Sequence, residues 1–450
     1  MLIRKIKKLI PRRGIETCWH LPNAILANMV YGFPARKLNV IAVAGTKGKS
    51  TTCQLLTRIL EHAGNKVALL STITIKIGND EKLNYVKMTT PSAWFIQQFL
   101  RNALKAQCTY VVLEVTSHAL AQYRTWGIPF QYAIITNLMP DHLDYHKTAE
   151  DYQHTHVKLL VPSLKKLIVN LRDEGSQKIT HTWGLADVGE DPTECDGTSR
   201  SNLPAGKYAC LNPTSAKPQV PSLVVHGKNP SIPTVLPLTT KNQLSENLRQ
   251  WNIPLLGEFN FQNALAAATL SKALGIPLTN IQKALEDPGT IPGRMETIAA
   301  GQPFSVIVDY AHSPDSLTAL FNVLKPLDHK NIITVFGACG DRDASVRPTM
   351  GNILDTHADY IVVTNDDPYT ENPEKIANDL LRGITYHPIN LSTFVTLDRR
   401  AAIAKAISLA KPSDLVLVLG KGAEQWQVFH NKKIPWDDRT VVREILKTLP

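Results

Sequence analysis

The chain has 450 residues, of which 43% are hydrophobic and 20% are charged, and this composition excludes an intrinsically disordered protein. A chain of this length predicts about three domains of roughly 150 residues each. The formal net charge of +10 indicates anionic ligands, but no basic stripe with interleaved aromatic residues and no recognised nucleic-acid motif is present. We therefore expect small anionic substrates and no nucleic-acid partner.

The N-terminus combines a basic run with an apolar stretch. The first thirteen residues contain six cations and no acid, and residues 24–33 that follow are largely apolar. Asn23 and Asn28 interrupt this stretch and no small-residue cleavage site follows, so a secretion signal is not expected. Scattered cysteines without metal-ligand spacing favour free thiols in a reducing compartment. We expect a cytoplasmic protein with no transmembrane segment, and a weak contact of the N-terminus with a membrane surface stays open.

Strand-like and helix-like runs alternate along the first half of the chain. Apolar runs predict strands at residues 38–43, 67–71, 110–115 and 132–136, with helices at 53–63 and 93–106. Such alternation predicts an α/β fold with a mainly parallel sheet and helices on both faces. Residues 184–252 are rich in Pro, Ser, Thr, Asn and Gly, and we expect an irregular antiparallel extension of the same domain there.

A second α/β pattern follows a linker. Helices are predicted at residues 260–274 and 279–285, and Asp287-Pro288-Gly289 indicates a linker. Strands are then predicted at 305–309, 332–336, 360–364 and 415–419, as in a smaller Rossmann-like domain. We therefore predict a short basic and apolar segment at 1–37, a central domain at 38–288 and a C-terminal domain at 289–450.

A glycine-rich turn stands between the first predicted strand and its helix. In Gly45-Thr46-Lys47-Gly48-Lys49-Ser50-Thr51, backbone N–H groups can surround phosphate oxygens, the last lysine can neutralise the β- and γ-phosphates, and the serine can bind Mg²⁺. The strict phosphate-loop pattern has glycine where Val43 stands, so an ordinary Gly/Lys turn stays an alternative.

Carboxylates and histidines follow other predicted strands. Glu114 ends the strand at 110–115, at the edge where open α/β sheets bind ligands, and this predicts a Mg²⁺ ligand or a carboxylate paired with Lys or Arg. Residues 136–146 gather His and Asp as a second metal site requires, although each histidine alone is more often structural. Arg294 and Asp309 can bind phosphoryl groups and ribose, or form a surface ion pair.

Eight stretches, in this order, resemble motifs of the Mur ligases: GTKGKST, EVTSHAL, TNLMPDHLDYH, GEFNFQN, PGRME, VDYAHSPDSL, FGACGDRD and LGKGAE. The similarity runs from about residue 38 to the C-terminus and is greatest to the synthetases that add the third residue of the peptidoglycan stem. It implies a monomeric ligase that uses ATP and Mg²⁺ to join a free amino acid, a diamino acid, to UDP-N-acetylmuramoyl-L-alanyl-D-glutamate or a related muramoyl peptide through an acyl phosphate.

The resemblance also implies a role for individual residues. The catalytic residues would be Lys49, Glu114, His142 and Arg294. ATP would contact Gly45, Thr46, Lys47, Gly48, Lys49, Ser50, Thr51, Asn260, Asn263, Arg294, Asp309 and His312. The metal would be held by Ser50, Glu114, His142 and His156. The muramoyl dipeptide would contact Thr89, Thr90, Thr116, Ser117, Gln122 and Arg124, and the incoming amino acid Asp366, Asp367, Gly420 and Glu424.

The sequence departs from the family in three places. Fewer than fifty residues precede Lys49 where the family has a uridine-binding domain, so we expect a shorter or lipid-linked acceptor, one held by the central domain alone, or a partner protein. His156 stands where the family has a carbamylated lysine; imidazole can still ligate metal, or face solvent. Tyr369 replaces the arginine that pairs with the distal carboxylate of diaminopimelate, which leaves lysine, ornithine or another amino acid open. Ala423 also replaces a histidine.

Three other functions stay open at this point. A folylpolyglutamate or cyanophycin type of ligase also lacks the uridine domain, but EVTSHALAQYR and the Thr-Thr-Pro at 89–91 favour a muramoyl-peptide site. A non-catalytic ATP-binding regulator would explain His156 and Tyr369 as signs of decay. A nucleic-acid-dependent NTPase is the weakest alternative.

Overall fold

The computed structural model describes residues 12–86, 88–182, 234–238, 242–430 and 432–449. The chain divides into two compact units, one formed by Met1–Lys82 with Met88–Pro288 and the other by Leu83–Lys87 with Gly289–Pro450. No helix within the described ranges is long and apolar enough to cross a membrane.

The first unit contains an eight-stranded sheet. Its strands are β1 (Asn39–Ala44), β2 (Val67–Leu70), β3 (Thr74–Ile77), β4 (Asp80–Leu83), β5 (Tyr110–Glu114), β6 (Tyr132–Ile135), β7 (Lys166–Val169) and β8 (Thr234–Pro237). The order is β4-β3-β2-β5-β1-β6-β7-β8, and all strands from β2 to β8 in this order pair in parallel. The continuous apolar sequence of β1 and β5 reflects this position, because central parallel strands are covered on both faces.

Helices follow most of these strands. They span Arg12–Ile15, Leu21–Tyr31, Lys49–His62, Ala93–Lys105, Ser117–Ala121, Leu143–His146, Ala149–Thr155, Glu174–Thr182, Gln243–Gln250, Glu258–Ala273 and Leu278–Glu286, with a π turn at Glu16–His20 and 3₁₀ turns at Pro34–Lys37 and His156–Leu159. Ser92, Thr116 and Thr148 each cap the helix that follows, because their hydroxyls accept a backbone N–H of its first turn.

The second unit contains a six-stranded sheet. Its strands are β9 (Glu296–Thr297), β10 (Ser305–Asp309), β11 (Ile332–Phe336), β12 (Tyr360–Val363), β13 (Thr393–Val395) and β14 (Leu415–Leu419), in the order β13-β12-β11-β14-β10-β9. Strands β15 (Trp426–Phe429) and β16 (Lys432–Pro435) form a separate antiparallel pair. Helices span Pro314–Leu324, Arg347–His357, Pro373–Leu381, Arg399–Leu409 and Asp438–Leu446, with a 3₁₀ turn at Ala344–Val346.

Alternate residues of the second sheet face different cores. Ile307 of β10 packs in one apolar cluster, whereas its neighbours Val306 and Val308 pack in another. Side chains alternate across a strand, so this division shows that both faces of the sheet are covered. The predicted fold class, two mainly parallel α/β sheets, is confirmed.

The expected antiparallel extension at 184–252 is wrong where the structure describes it. Strand β8 pairs in parallel with β7, and Gln243–Gln250 is helical. A short apolar run carries no information about its direction in a sheet, because the alternation of side chains is the same either way. Residues 184–233 and 239–241, which also fall in this range, lie outside the described residues.

Candidate active site

The glycine-rich turn connects β1 to the helix Lys49–His62. Gly45 and Gly48 both have positive φ, +131° and +79°, which favours glycine. A Cβ atom on Gly45 would lie 2.3 Å from Thr136 Oγ1, and one on Gly48 would lie 2.1 Å from Asn263 Oδ1. The backbone of the turn therefore approaches its neighbours more closely than any other residue allows, as a phosphate-binding turn requires.

The side chain of Lys49 lies back over this turn. Its ammonium group donates to the carbonyl oxygens of Gly45 and Thr46, each at 2.8 Å. These neutral acceptors hold the cation above the turn, where a phosphate oxygen could replace them as a stronger, charged acceptor. Ser50 and Thr51 follow in the first helical turn, and both are buried.

The loop after β6 is bonded to the turn. Thr136 Oγ1 donates to the carbonyl of Lys47 at 2.6 Å, and the Lys47 amide donates to Asn137 Oδ1 at 2.9 Å. Thr46 Oγ1 donates to the carbonyl of Met139 and lies 2.7 Å from Tyr152 Oη. Two strand ends that are far apart in sequence thus form one rigid edge.

The predicted adenine residues lie against the same turn. Asn263 is buried, close to Gly48, and its Oδ1 lies 3.4 Å from Thr52 Oγ1. Asn260 is one helical turn earlier and donates to the carbonyl of Leu256 at 2.8 Å. The two amides therefore border the turn, and a contact with adenine stays a prediction.

Glu114 is buried at the end of β5, with 2% of its surface exposed. Its Oε1 accepts hydrogen bonds from Ser50 Oγ and Thr72 Oγ1, both at 2.9 Å, and its Oε2 accepts the Thr72 amide at 2.7 Å. No Lys or Arg of the described residues lies within ion-pair distance of it, so the alternative of a paired carboxylate is wrong. Sequence analysis missed Thr72, whose only signal was its place just after β2.

His142 lies among aromatic rings. Its backbone is left-handed, with φ of 54°, and its ring centre lies 4.7 Å from that of His118, which in turn contacts Tyr145 at 4.2 Å. Burial alone would raise the pKa of Asp141, but the charges of His142 and the lysines of the turn outweigh burial and lower it. Asp141 and His142 thus lie in the electrostatic field of the glycine-rich turn.

His156 is fully buried, so the alternative of a solvent-facing residue is wrong. Its Nδ1 lies 3.1 Å from the carbonyl of Tyr152, which can only accept, so Nδ1 carries the proton. The unprotonated Nε2 is buried and has no hydrogen-bond partner among the described residues. Burial, with a contribution from Lys49, lowers the pKa of His156 to about 4, and the free lone pair is available to a metal ion.

The predicted acceptor residues form one hydrogen-bonded group. Thr90 Oγ1 donates to the carbonyl of Glu114 at 2.8 Å and accepts the Thr116 amide at 3.0 Å, and the carbonyl of Thr90 accepts Arg124 Nη1 at 2.6 Å. Arg124 also donates twice to Gln122 Oε1, at 3.0 and 2.6 Å. This arrangement fixes a guanidinium beside the end of β5.

Two more of these residues reach neighbouring loops. Thr89 Oγ1 lies 2.8 Å from Thr72 Oγ1, and Ser117 Oγ lies 2.9 Å from His146 Nε2. All six predicted acceptor residues thus belong to the first unit, at the edge that carries Glu114.

Glu16 and Tyr145 extend the acceptor group and were not predicted. Gln122 Nε2 donates to Tyr145 Oη at 3.2 Å, and Tyr145 Oη donates to Glu16 Oε1 at 2.9 Å. Glu16 is the only acid among residues 1–37 and is buried. An isolated buried acid in an otherwise basic segment was a usable signal, because a buried carboxylate needs a partner.

In the second unit, Asp309 ends β10 and accepts the amides of Met295 and Ala311, each at 2.8 Å. Arg294 lies over the ring of Tyr310, 4.3 Å from its centre. Among the described residues, Arg294 and Asp309 form no ion pair with each other, and each has another partner. Burial raises the pKa of Asp309 and outweighs the opposing charge of Arg294. The exposed His312 lies 2.7 Å from the carbonyl of Tyr310 through its Nδ1.

The four residues predicted for the incoming amino acid lie together around Lys421. This buried ammonium bonds to Asp366 and Asp367 at 3.1 Å each and to Glu424 at 3.0 Å. A Cβ atom on Gly420 would lie 2.8 Å from Asp366 Oδ2. Three carboxylates thus surround one cation, and sequence analysis missed Lys421 because buried lysines are rare.

Arg399 fixes the loops that carry this group. It is fully buried and forms a two-point ion pair with Asp438, at 2.7 and 2.6 Å. It also donates to the carbonyls of Asn365 and Leu419, the residues just before Asp366 and Gly420. The pair therefore holds the ends of β12 and β14 in register at the site.

Comparisons with known proteins agree with this architecture. The profile of the Mur ligase middle domain matches residues 43–188, and that of the Mur ligase, glutamate ligase domain matches residues 293–422. The UDP-N-acetylmuramoyl-L-alanyl-D-glutamate–2,6-diaminopimelate ligase of Thermosynechococcus vestitus is 38% identical over 435 residues, which cover 94% of this chain and 79% of the relative. The enzyme of the same name from Clostridium botulinum is 34% identical and covers 95% and 81%.

The chain belongs to the Mur ligase family. It is an ATP-dependent acid–amino-acid ligase, so the predicted family and class of enzyme are confirmed.

Solved structures of Mur ligases share the fold. A UDP-N-acetylmuramoyl-L-alanyl-D-glutamate–2,6-diaminopimelate ligase matches with a TM-score of 0.55 and 27% identity, covering 91% of this chain and 78% of that one. The folylpolyglutamate synthase of Mycobacterium tuberculosis matches with a TM-score of 0.64, covering 89% of this chain and 92% of that one, but at 15% identity it shows the fold alone.

Replacing Gly48 by alanine is expected to lower kcat/KM for ATP by about 100-fold, because Asn263 must move and the phosphate cradle distorts. Gly64 is a matched control: it has nearly the same φ, +82°, but nothing lies within 4 Å of a Cβ atom there. Gly64→Ala has the same backbone strain and should keep ATP turnover. Steady-state kinetics of both variants test this, and equal losses would refute the steric role of Gly48.

His156 predicts an acid-dependent loss of stability. Its folded-state pKa of about 4 lies below the ordinary 6.5, so the unfolded chain takes up the proton first as the pH falls. Stability is therefore fully present above pH 6.5 and declines toward pH 4, by about 3 kcal/mol from this residue. Urea unfolding across this range should show a steeper decline for the natural chain than for His156→Met. If the free energies of unfolding of the two proteins fell in parallel with pH, the low pKa assigned to His156 would be contradicted.

Proposed function

We propose that this ligase joins a diamino acid to a carboxylate of a muramoyl-L-alanyl-D-glutamate acceptor, with release of ADP and phosphate, in the synthesis of peptidoglycan precursors. The observation that carries the proposal is the position of Glu114. Its side chain bonds to Ser50 of the glycine-rich turn, and its main chain bonds to Thr90 of the acceptor group. The nucleotide and acceptor residues therefore meet at one strand end, and the names of the relatives support this acceptor.

The reaction has two steps. A carboxylate oxygen of the acceptor attacks the γ-phosphorus of ATP, the bond to the β-phosphate oxygen breaks, and ADP leaves. The amine of the incoming amino acid then attacks the acyl carbon of the resulting acyl phosphate. Phosphate leaves with the former carboxylate oxygen, and the amine loses a proton as the amide forms.

Lys49 and Arg124 supply positive charge for these steps. Lys49 would leave the carbonyls of its own turn and bind the γ-phosphate, where it stabilises the charge of the transferring group. Arg124, which is held by Thr90 and Gln122, would bind a carboxylate of the acceptor. Arg124 is already held in place, so its side chain needs little reorganisation on binding.

The donor set fits a divalent cation. Ser50 and Glu114 offer hard oxygen atoms of the kind Mg²⁺ prefers, and the buried Nε2 of His156 offers a lone pair that has no hydrogen-bond partner in the part of the chain that the structure describes. We propose that Ser50 and Glu114 hold one Mg²⁺ and that His142, with Glu114, holds a second, with His156 as a further ligand; bound ions would neutralise phosphate charge. Among the described residues, the ligand atoms of Glu114, His142 and His156 do not all lie within 4.8 Å of one another, so these residues do not form a single closed site.

The charge around Lys421 favours an amino acid with two amines. Asp366, Asp367 and Glu424 all bond to Lys421, and a group of three carboxylates suits an ammonium group on the ligand. The names of the relatives favour 2,6-diaminopimelate. Tyr369 has a φ of 48°. Where the family has the guanidinium of an arginine, Tyr369 offers a hydroxyl to the distal carboxylate of diaminopimelate.

The cytoplasmic location, the monomeric state and the head group of the acceptor stay predictions. ATP turnover per chain, measured at rising protein concentration, tests the monomeric state. ATP turnover with UDP-linked and with head-group-free acceptors tests the head group.

Lys49→Ala is expected to abolish ADP release, which in the natural chain should require ATP, Mg²⁺, a muramoyl dipeptide and an amino acid together. Removing a cation that stabilises phosphoryl transfer typically costs 10²-fold or more, about 3 kcal/mol. Coupled measurement of ADP and mass spectrometry of the peptide product test this, with the exposed Lys178→Ala as the control. ATP turnover without an acceptor would refute the proposal.

Tyr369→Arg should raise the preference for diaminopimelate over lysine by about tenfold or more, because a guanidinium adds a two-point bond to the distal carboxylate. Tyr369→Phe, which keeps the ring, should leave this ratio nearly unchanged. Competition between the two amino acids, read by mass spectrometry, gives the ratio. An unchanged ratio in Tyr369→Arg would show that residue 369 does not face the distal carboxylate.

A further inference from the structure

The helix Leu21–Tyr31 has an apolar outer face. Its inner face packs on the first unit through Ala24 and Ala27, which form a cluster with Ala93. The outer side chains that stay exposed, together with one from the preceding turn, are Trp19 at 52%, Leu26 at 49%, Met29 at 62% and Val30 at 60%. Helices on protein surfaces normally place polar residues outward, so an apolar face exposed to water is unusual.

The four exposed side chains share one face. Residues 19, 26 and 30 are spaced by seven and four positions, and Met29 adjoins Leu26 on the helix. The inner side of the helix is firmly held: Asn28 donates to the carbonyl of Trp126 at 2.9 Å, and Arg101 donates to that of Tyr31 at 2.9 Å. The apolar face is therefore a fixed feature of the folded chain.

The sequence next to this face is strongly basic. Residues 1–37 contain eight Lys and Arg and a single acid, Glu16, which is buried and bonded to Tyr145. At the C-terminal end of the helix lies a groove of about 260 Å³. Its lining residues are Tyr31, Gly32, Pro34, Lys37, Arg101, Leu104 and Lys105.

The groove carries no compensating acid. The helix Ala93–Lys105, which supplies Arg101 and Lys105, contains no Asp or Glu, and neither do residues 17–37. Among the described residues, no carboxylate lies within ion-pair distance of Lys37, Arg101 or Lys105. These exposed cations are therefore available to an external anionic surface.

We propose that the N-terminal helix docks this enzyme on the surface of an anionic lipid bilayer. The four apolar side chains would enter the boundary between head groups and acyl chains, and the basic N-terminal run with the groove cations would bind anionic head groups. Apolar insertion and polybasic attraction are each weak alone, and together they give stable peripheral binding. The inference is independent of the proposed substrates.

Sedimentation of the purified full chain with lipid vesicles tests the docking. We expect binding to vesicles of phosphatidylcholine mixed with phosphatidylglycerol, little binding to phosphatidylcholine alone, and loss of binding at high salt. Met29→Ser with Val30→Ser should weaken binding by about tenfold or more, because it removes two inserted side chains. Lys37→Gln with Lys105→Gln should weaken it by about tenfold as well.

Matched controls lie in the second unit. Ile389 and Leu391 are as exposed, at 56% and 73%, so Ile389→Ser with Leu391→Ser should leave vesicle binding unchanged. Lys432 and Lys433 are exposed on β16, and Lys432→Gln with Lys433→Gln controls for lost charge. All four double variants should keep ADP release with soluble substrates, which separates this test from the proposed function.

Three results would overturn the proposal. One is absence of vesicle binding by the natural chain, and another is equal binding by the natural chain and the Met29→Ser/Val30→Ser variant. The third is a concentration-dependent dimer, seen in sedimentation velocity without vesicle binding and lost in that variant, which would assign the apolar face to a second copy of the chain.

Discussion

The buried carboxylate of Glu114 is the constraint on which the rest of the first unit depends. A carboxylate out of water must be satisfied by donors, and three hydrogen bonds from Ser50 and Thr72 do so. Those donors come from the loops after β1 and β2, and the Glu114 main chain is bonded to Thr90. One residue therefore fixes the spacing of three loops, and with it the distance between the glycine-rich turn and the acceptor group.

The second unit also contains a buried charge that needs partners, and here the charge is positive. Lys421 is buried and is stabilised only because three carboxylates face it. Arg399 holds the two loops that supply Asp366 and Gly420. The same physical requirement, partners for a buried charge, thus shapes both units, and in both it gathers residues whose chemistry suits charged substrates.

Local pattern was enough to predict eight of the sixteen described strands, the glycine-rich turn and the strand-end position of Glu114. Each of these depends on a short stretch of sequence, where apolar runs and glycine have a direct structural meaning. The strands that were not predicted are β3, β4, β7, β8, β9, β13, β15 and β16. The contacts of Thr72, Tyr145 and Glu16 join segments that are distant in sequence, and no local pattern encodes such pairs. The direction of β8 was wrong for a related reason, because parallel and antiparallel strands share one alternation of side chains.

Neither the resemblance to the family nor the local sequence pattern predicts how His156 is buried and protonated. The sequence gives its place in the motif but not its burial, its proton on Nδ1 or the free lone pair on Nε2, which depend on packing around Tyr152. Those three properties turn a departure from the family into a residue that can still bind metal.

Transfer of a labelled oxygen tests the central claim, that this chain activates a carboxylate as an acyl phosphate, most directly. The acceptor peptide would carry ¹⁸O in its carboxylates, and the phosphate released during turnover would be examined by mass spectrometry. The account predicts one ¹⁸O atom in each phosphate, because the carboxylate oxygen leaves with the phosphoryl group. Phosphate without ¹⁸O would mean that water attacks ATP, and would contradict the ligase mechanism for this chain.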